Sequence, residues 1–526
     1  GTDPIVRSEY RVTAPEDAPL KSIALKNEVP GTVTRTKETS KGETTWTWTA
    51  RNVPQAYEEP QMPPLHTQAQ RLLVSTIPDW ETVSRWYWNL CRPKIEAVTP
   101  EMEATVKTLT AGIGDPGKKA EAIFYWVSQE IRYLGITVEK DAPGYEPHEA
   151  SMTFSRRAGV CRDKAALLVA MLRLAGLEAY PVLIMNGPKK DPEVPQSYFN
   201  HAVACVRNPD GTDLLMEATD ESTRELFPAY LNNQSYLTAT PRGETLLTSP
   251  IVPAGQNMLT IDTTGSLDER GTLQAATLIT FEGINDNVYR RHFSGLTPQE
   301  RRQFFEKIVM RTAPGGTVTS FDLAPENMLD TTRRIEARVG FTVKGWAIPG
   351  KSTVMLPLPR FGRSVGMANI LVGGMGLKKR RFPYVTDVAC GIAERLQLNV
   401  DRGFGAVVSL PGYEAVDNRG SFLKTALTLR ERTLVLDQAF RLKVTEYSPD
   451  EYRELQDTAR KIETDNRKMP IFSRASRGGA LSGEAGYAPF EADAVVLDEL
   501  HEYRVADPSS WTETRHVKMK VLTYAG

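Results

Sequence analysis

The sequence predicts an α+β fold in which several β-sandwich-like domains flank one helical core. The chain has 526 residues, too many for a single ordinary hydrophobic core. Short runs rich in Thr, Val and aromatic residues, broken by Pro and Gly, are frequent towards both ends and are typical of β-strands. From Thr99 the pattern changes to the helical period, with proline in the first turn of two helices.

The composition excludes several classes of function. Hydrophobic residues make up 40% and charged residues 25% of the chain, as in globular proteins. The net charge is −1, so nothing favours a nucleic acid or an anionic membrane as partner. No apolar run approaches the ~18–20 residues of a transmembrane segment. The four scattered cysteines form no C-x-x-C pair, which argues against a zinc ribbon or a disulfide framework.

The order of strand-like and helix-like segments divides the chain into predicted domains. These are a partial β-domain at 1–75, a connector at 76–98, a catalytic core at 99–248, a β-rich domain with one helix at 249–345, a second β-rich domain at 346–470, a Gly/Ser-rich linker at 471–489, and β-strands at 490–526 that we expect to complete the N-terminal domain. The chain begins with Gly1 rather than methionine. We therefore expect a processed chain, and any signal peptide would lie upstream of Gly1. The partial β-structure at the two ends leads us to expect a segment of a longer tandem protein.

Within the core, capping residues and periodicity predict the elements in turn. Thr99-Pro100 and Asp115-Pro116 each begin a helix. A third helix is predicted from Cys161 to Ala175, with Gly176 as its stop. Three strands follow, with the sequences EAYPVLIM, SYFNHAVACV and TDLLMEAT. Further along, Asp268–Gly271 is predicted to turn a hairpin.

Cys161 is the first candidate for chemistry, because it lies where a loop ends and the apolar helix begins. The positive end of the helix dipole favours a thiolate by ~0.3–1 kcal/mol at an exposed end. Free N–H groups of the first turn also suit an oxyanion. Gly159 permits close approach of backbone or substrate. The helix start thus predicts a nucleophile, and Arg162 and Lys164 either assist the thiolate or pair with Asp163.

The base and its orienting acid are predicted from the strands that follow. Of six histidines, only His201 lies in a predicted core strand close downstream, on one face with Val203. It can take the thiol proton and form a thiolate–imidazolium pair. Either Glu217 or Asp220, on or just past the next strand, can accept the second imidazole proton. On the preceding helix, Trp126 and Tyr133 either line the pocket or belong to the core.

Three of these segments, GVCRDKAALLVAMLRLAGLEAYPVL, NHAVA and MEATDE, resemble the transglutaminase-like superfamily, which shares a papain-like core. The resemblance covers roughly residues 99–245 and implies Cys161 as nucleophile and His201 as base. At the third position the chain has Glu217 where the family pattern carries Asp, and Asp220 is the substitute candidate. The flanking ranges resemble bacterial β-domains of unknown function.

These observations together predict a thiol-dependent acyl-transfer enzyme that acts on amide bonds of a protein or peptide. With water the enzyme is a peptidase or amidase, the outcome we favour, and with a lysine amine it is a transglutaminase. The chemistry needs no metal or organic cofactor. The resemblance and the multi-β-domain layout indicate the periplasm or cell envelope. The alternative is a catalytically inactive relative that acts as a cell-envelope binding or scaffold protein. The sequence does not specify the oligomeric state.

Overall fold

A computed structural model describes residues 3–135, 144–474, 494–507 and 510–521. The chain divides into two compact units, residues 1–475 and 476–526. In the described residues, no helix is long and apolar enough to cross a membrane. The mixture of helices and separate β-sheets confirms the predicted α+β class.

The N-terminal part of the first unit is a small β-structure. Its elements are β1 (Ile5–Pro15), β2 (Ser22–Lys26), β3 (Val33–Ser40), β4 (Glu43–Val53), α1 (Leu65–Gln68) and β5 (Arg71–Ser75). Strands β1, β4 and β3 form one antiparallel sheet in that order, and β2 pairs with β5. Trp46 and Trp48 alternate along β4 and are buried on the same face, which is why this sheet has a core of its own.

Helices packed on a five-stranded sheet make up the predicted core. Its elements are α2 (Trp80–Ile95), α3 (Pro100–Leu109), α4 (Pro116–Glu130), β6 (Arg132–Tyr133), α5 (Ala150–Arg156), β7 (Ala158–Gly159), α6 (Cys161–Leu174), β8 (Ala179–Met185), β9 (His201–Arg207), β10 (Asp213–Met216), β11 (Ser235–Thr238) and β12 (Leu247–Thr248). The sheet order is β10-β9-β8-β11-β12. The predicted connector at 76–98 contains helix α2, whose Tyr87 and Trp88 are buried.

Capping explains where the helices of the core begin. The side chains of Thr99 and Asp115 accept backbone N–H groups of Met102 and Lys118, and a proline follows each cap, as predicted. Helix α6 ends one residue before the predicted position, and Gly176 follows its C-cap with φ +81°. That left-handed conformation is the one glycine adopts without strain, so Gly176 ends the helix as expected.

The C-terminal part of the first unit is dominated by an eight-stranded sheet. The elements are β13 (Met258–Leu267), β14 (Leu273–Phe281), α7 (Ile284–Ser294), α8 (Pro298–Thr312), β15 (Thr317–Ala324), β16 (Glu336–Val343), β17 (Ile348–Pro349), β18 (Thr353–Met355), α9 (Met367–Gly373), β19 (Tyr384–Val385), β20 (Cys390–Val400), β21 (Phe404–Ser409), β22 (Val416–Asp417), β23 (Ser421–Arg430), β24 (Thr433–Leu442), β25 (Glu446–Tyr447), α10 (Pro449–Asn466) and β26 (Ile471–Arg474). The sheet order is β15-β16-β14-β13-β20-β24-β23-β22, and the predicted hairpin turn links β13 to β14.

Strands from the ranges 249–345 and 346–470 meet in the middle of this sheet. Strand β13 pairs with β20 in parallel over their full shared length. The two β-rich ranges that were predicted to meet at residue 345 therefore contribute strands to one common sheet. Pairing between strands more than a hundred residues apart leaves no local sequence pattern, so periodicity alone does not detect it.

Two local predictions in this part differ from the structure. The range 249–345 contains the two helices α7 and α8, where one helix was predicted. Helix α7 buries Asn285, Asp286, Asn287 and Arg290 beside its apolar residues Ile284, Tyr289 and Phe293, so polar residues interrupt the apolar pattern by which a helix is found. The predicted linker at 471–489 begins as strand β26, because Phe472 is buried between β18 and β21. Residues 475–489 lie outside the described residues.

The second unit contains a β-hairpin of β27 (Ala494–Asp507) and β28 (Ser510–Val521). The sequence predicted strands in this range. The expectation that they complete the N-terminal domain stays a prediction.

Candidate active site

The start of α6 is fixed by the carboxylate of Asp163, in the first turn. It accepts the backbone N–H of Val160 at 3.1 Å and that of His148 at 2.9 Å. A Cβ on Gly159 would lie 2.8 Å from the Cβ of Asp163, closer than real side chains approach. Gly159 therefore permits a close approach, but the group that approaches is the side chain of Asp163, where backbone or substrate was predicted. This packing places Cys161 at the first helical position.

Burial of α6 positions Cys161 against the sheet. The central residues of the helix, from Ala165 to Leu172, are all buried, and the helix packs on β8 and β9. Strand β9 begins at His201, which pairs with Ile184 of β8. The thiol at the start of the helix and the imidazole at the start of the strand consequently line the same cavity, and the interaction with His201 lowers the pKa of the thiol.

Glu217 is the acid in contact with the imidazole. Its Oε2 is bonded directly to Nε2 of His201, and its Oε1 accepts the backbone N–H of Thr219 at 2.6 Å. The Glu217 side chain is buried, and it follows directly after the last residue of β10. The bond to Nε2 leaves Nδ1 of His201 for the thiol. Glu217 therefore reaches the imidazole, although its side chain is one methylene longer than that of Asp.

Asp220 has other partners. Its Oδ2 accepts hydrogen bonds from Asn287 at 2.8 Å, from Arg291 at 2.9 Å and from the hydroxyl of Tyr230 at 3.3 Å. Its Oδ1 accepts the backbone N–H of Ser222 at 3.0 Å. Asn287 and Arg291 belong to α7, so Asp220 links the core to the β-rich part of the unit.

The electrostatics of the site favour an ionised pair. Burial raises the pKa of the Cys161 thiol, but the hydrogen bond and charge of His201, with the backbone N–H groups of Ala202 and Arg162, bring that pKa below its ordinary value. Burial would lower the pKa of His201, yet the carboxylate of Glu217 and the bond to Cys161 raise it to about 10. Burial of Glu217 is likewise outweighed by the charge and hydrogen bond of His201, which lower its pKa.

The other three cysteines lie in environments that raise the pKa of the thiol. Burial raises the pKa of Cys91 and of Cys390 to about 12, and raises that of Cys205 well above the ordinary value. All three side chains are buried and belong to the cores of the molecule. Of the four thiols, Cys161 is therefore the one whose pKa is lowered.

The two basic residues after Cys161 have different positions. Arg162 donates its Nε–H to the carbonyl of Glu146 at 2.9 Å and lies 3.9 Å from the carboxylate of Asp163. Lys164 is buried and donates to the carbonyls of Ser128, at 3.1 Å, and Ile131, at the end of α4. Burial lowers its pKa to about 8, against the charges of Glu217, Glu221 and Asp220. The position of Lys164 in the sequence does not indicate these two hydrogen bonds, because the carbonyls that accept them lie at the end of another helix, α4.

The two aromatic candidates on the preceding segment also separate. Trp126 stacks on Phe154, with ring centroids 5.3 Å apart, and Arg157 lies over both rings, so Trp126 belongs to the packing of the core. Tyr133 is half-exposed, and its partner across the short β6–β7 ladder is Gly159. Burial and the charges of Cys161 and Glu217 raise the pKa of Tyr133. Because α4 ends at Glu130, Tyr133 lies in β6 and not on the helix where it was predicted.

A cavity of about 330 Å³ opens beside Cys161 and His201. Its remaining described lining residues are Tyr87, Gly144, Tyr145, Arg162, Leu183, Phe199, Asn200 and Ala202. Its volume is at the lower end of the range, about 300–1,000 Å³, that is usual for small-ligand sites. A larger cavity, of about 500 Å³, lies elsewhere, and neither Cys161 nor His201 lines it.

Residues 103–212 match the family described as the transglutaminase-like superfamily. This chain contains a transglutaminase-like core. The match confirms the resemblance on which the sequence prediction rested, and it includes Cys161 and His201. Glu217 and Asp220 lie just beyond its end. No curated protein matches the sequence of the chain.

Two solved structures are similar to this chain to different degrees. A crystal structure described as a "putative protease" from Parabacteroides distasonis superposes with a TM-score of 0.56 at 14% identity, over 90% of this chain and 73% of that one. A second, described as a "putative cysteine protease" from Cytophaga hutchinsonii, gives a TM-score of 0.20 at 17% identity, over 42% of this chain and 68% of that one. At 14% identity, the similarity to the Parabacteroides distasonis structure concerns the fold alone.

Proposed function

We propose that this chain is a thiol-dependent acyl-transfer enzyme that hydrolyses amide bonds of proteins or peptides in the periplasm or cell envelope. The observation that carries the proposal is that Cys161 and His201 line one cavity and that His201 is bonded to the buried Glu217, with the pKa of the thiol lowered and that of the imidazole raised. A thiolate beside an imidazolium is the arrangement that nucleophilic catalysis by cysteine requires.

The contacts support a two-step reaction. The Cys161 thiolate attacks the carbonyl carbon, and a C–S bond forms as the C–N bond breaks. The imidazolium of His201 gives its proton to the departing amine, which leaves a thioester. His201 then removes a proton from water, the resulting hydroxide attacks the thioester, and the thiolate departs with the imidazolium restored. Glu217 holds the ring in place and stabilises its charge throughout.

Resolution of the thioester by a lysine amine would make the same site a transglutaminase. Both reactions use the same three side chains, so product analysis with and without an added amine separates them. The scaffold alternative drew on Glu217 as a departure from the family pattern. Because Glu217 contacts His201 directly, that departure no longer argues against catalysis.

Alkylation by iodoacetamide tests the proposed nucleophile. We expect Cys161 to react at pH values well below ~8.5, the pKa of a free thiol, because its thiolate is stabilised by His201. Peptide mass mapping measures all four cysteines in one sample, so Cys91, Cys205 and Cys390 serve as internal controls. A Cys161 that titrates like a free thiol would exclude the proposal.

The rate of hydrolysis should rise with pH as the thiol ionises and fall as His201 loses its proton at about 10. The measurement is the pH profile of kcat/KM on one peptide substrate.

The choice between the two acids is tested by a matched pair of amide substitutions. Glu217→Gln should reduce hydrolysis by about 10²–10⁴-fold, because a neutral amide stabilises the imidazolium poorly and can hold the wrong tautomer. Asp220→Asn should leave the rate within a few fold, since Asp220 contacts α7 and not His201. The measurement is kcat/KM on one peptide substrate, with circular dichroism for folding. Equal losses would show that the contact seen for Glu217 has no special part in catalysis.

A further inference from the structure

The walls of the cavity beside Cys161 are largely hydrocarbon. Rings of Tyr87, Tyr145 and Phe199 line it together with the side chain of Leu183. Tyr87, Phe199 and Leu183 are almost fully buried, and their positions are fixed by packing in the core of the transglutaminase-like fold. Such a surface gains free energy when an apolar group displaces water from it.

The polar atoms in these walls already have protein partners. The Tyr145 hydroxyl donates to the carbonyl of Phe199 and accepts its backbone N–H, each at 2.8 Å. Tyr87 is almost fully buried, and its hydroxyl interacts with the buried Cys91 thiol in a way that contributes to the raised pKa of Tyr87. Asn200 accepts the N–H of Asn186 through Oδ1 and donates to its carbonyl through Nδ2, again at 2.8 Å. A polar substrate side chain would lose its hydration without gaining these groups as partners.

Formal charge in the cavity is also compensated. Apart from His201, the described lining contains one charged side chain, Arg162, and no carboxylate. Arg162 donates to the Glu146 carbonyl and lies near the buried carboxylate of Asp163. An ammonium group would therefore find no carboxylate among the described lining residues, and an acidic group would compete with Asp163 for the guanidinium.

We propose that this cavity selects acyl donors whose side chain next to the reacting carbonyl is uncharged and apolar, of the size of leucine or phenylalanine. The inference rests on the proposed function, because it assigns the substrate class of the same nucleophile. A volume of about 330 Å³ holds one such side chain together with the reacting backbone. Complete burial of a large apolar side chain corresponds to a preference of about 10- to 100-fold over glycine.

A series of N-acetyl-aminoacyl chloromethyl ketones tests the selectivity, with Phe, Leu, Gly, Asp or Lys next to the reactive carbon. Each rate of modification of Cys161 is divided by its rate with iodoacetamide, which has no such side chain. We expect Phe and Leu to exceed Gly by about 10- to 100-fold, and Asp and Lys to react no faster than Gly. Equal rates across the series, or a fastest reaction with Asp, would overturn the inference.

Two substitutions of phenylalanine by leucine locate the preference. Phe199→Leu changes a wall of the cavity and should reduce the ratio of Phe to Gly rates several-fold. Phe154→Leu makes the same change in a residue that packs on Trp126 and does not line the cavity. It should leave the ratio unchanged. If both variants alter the ratio alike, the selectivity comes from general packing, and the cavity is not its source.

Reversible binding separates failure of the inference from failure of the proposed function. Peptides of sequence Ac-Ala-Xaa-Ala-NH₂ are titrated into Cys161→Ala protein and followed by ligand-detected NMR, with the same five residues at Xaa. Preferential binding of Phe and Leu supports the cavity even if Cys161 proves inert to iodoacetamide, which would exclude only the catalysis. A reactive Cys161 with no apolar preference in either experiment leaves the catalysis standing and excludes the selectivity.

Discussion

Replacing His201 with alanine is expected to slow alkylation of Cys161 at pH 6 by about tenfold or more, and amide hydrolysis by about 10²–10⁴-fold. The wild-type thiolate depends on the hydrogen bond and positive charge of His201, which outweigh burial of the thiol. Without them, burial raises the pKa of Cys161. A free thiol with a pKa of ~8.5 is only about 0.3% ionised at pH 6.

The two effects differ because they report different steps. The alkylation rate follows the fraction of Cys161 present as thiolate, which is higher in the wild type than in His201→Ala. Part of this wild-type advantage is offset, because a thiolate of lower pKa is a weaker nucleophile. Hydrolysis also loses the general acid for the departing amine, so its loss is larger. The comparison between the two rates thus separates activation of the thiol from proton transfer.

A matched control for this experiment is His66→Ala. His66 is exposed and lies in α1, outside the core that holds the site. This variant should keep both rates within twofold of the wild type. If His201→Ala alkylates at the wild-type rate at pH 6, the thiolate is stabilised by the helix and the backbone N–H groups, and the proposed ion pair is wrong. Peptide mapping of Cys161 provides the measurement in each protein.

Replacing Arg290 with methionine is expected to lower the free energy of unfolding by about 3–5 kcal/mol. Arg290 is fully buried in α7, and each of its five N–H groups has an acceptor. Two bonds reach the carboxylate of buried Asp286, and three reach the carbonyls of Met328, Asp330 and Arg333. Methionine fills similar space but leaves a buried carboxylate without its cation.

The loss of stability should affect activity through the folded population, because the side chains of α7 near the candidate site are bonded to Asp220 and not to Glu217. Asn287 and Arg291 of this helix hold Asp220, only three residues beyond Glu217. We therefore expect Arg290→Met to lower activity mainly by reducing the folded population, with alkylation of Cys161 in the folded protein nearly unchanged. Urea unfolding followed by circular dichroism measures the stability.

An exposed pair with the same spacing provides the control. Arg302 and Glu306 in α8 form a bond of 2.9 Å between side chains that are 46% and 40% exposed. Arg302→Met should change the free energy of unfolding by no more than about 0.5 kcal/mol, because water screens such a pair. Removing both buried charges, in Arg290→Met with Asp286→Leu, should recover part of the lost stability. A loss for Arg290→Met as small as that for Arg302→Met would contradict the assigned role.

Much of the site could be predicted because its signals are local. Several predicted elements depend on residues near them in the chain. These are the proline caps at Thr99 and Asp115, the helix from Cys161, and the strand that contains His201. Helix α7 escaped prediction for the opposite reason. Most partners of its buried polar residues, apart from the Arg290–Asp286 pair, are more than twenty residues away, such as the backbone N–H of Ile335 on Asp286.

The sequence by itself predicted the candidate nucleophile, the candidate base and their order along a helix and a strand, because periodicity, capping and motif spacing are properties of short segments. Only the tertiary structure decided between Glu217 and Asp220, and placed Lys164 on the end of α4. It also joined β13 to β20 in one sheet. These outcomes depend on which buried polar groups meet across the fold. Glu217 reaches His201 because β9 and β10 pair side by side, whereas the chain beyond Thr219 turns Asp220 towards α7.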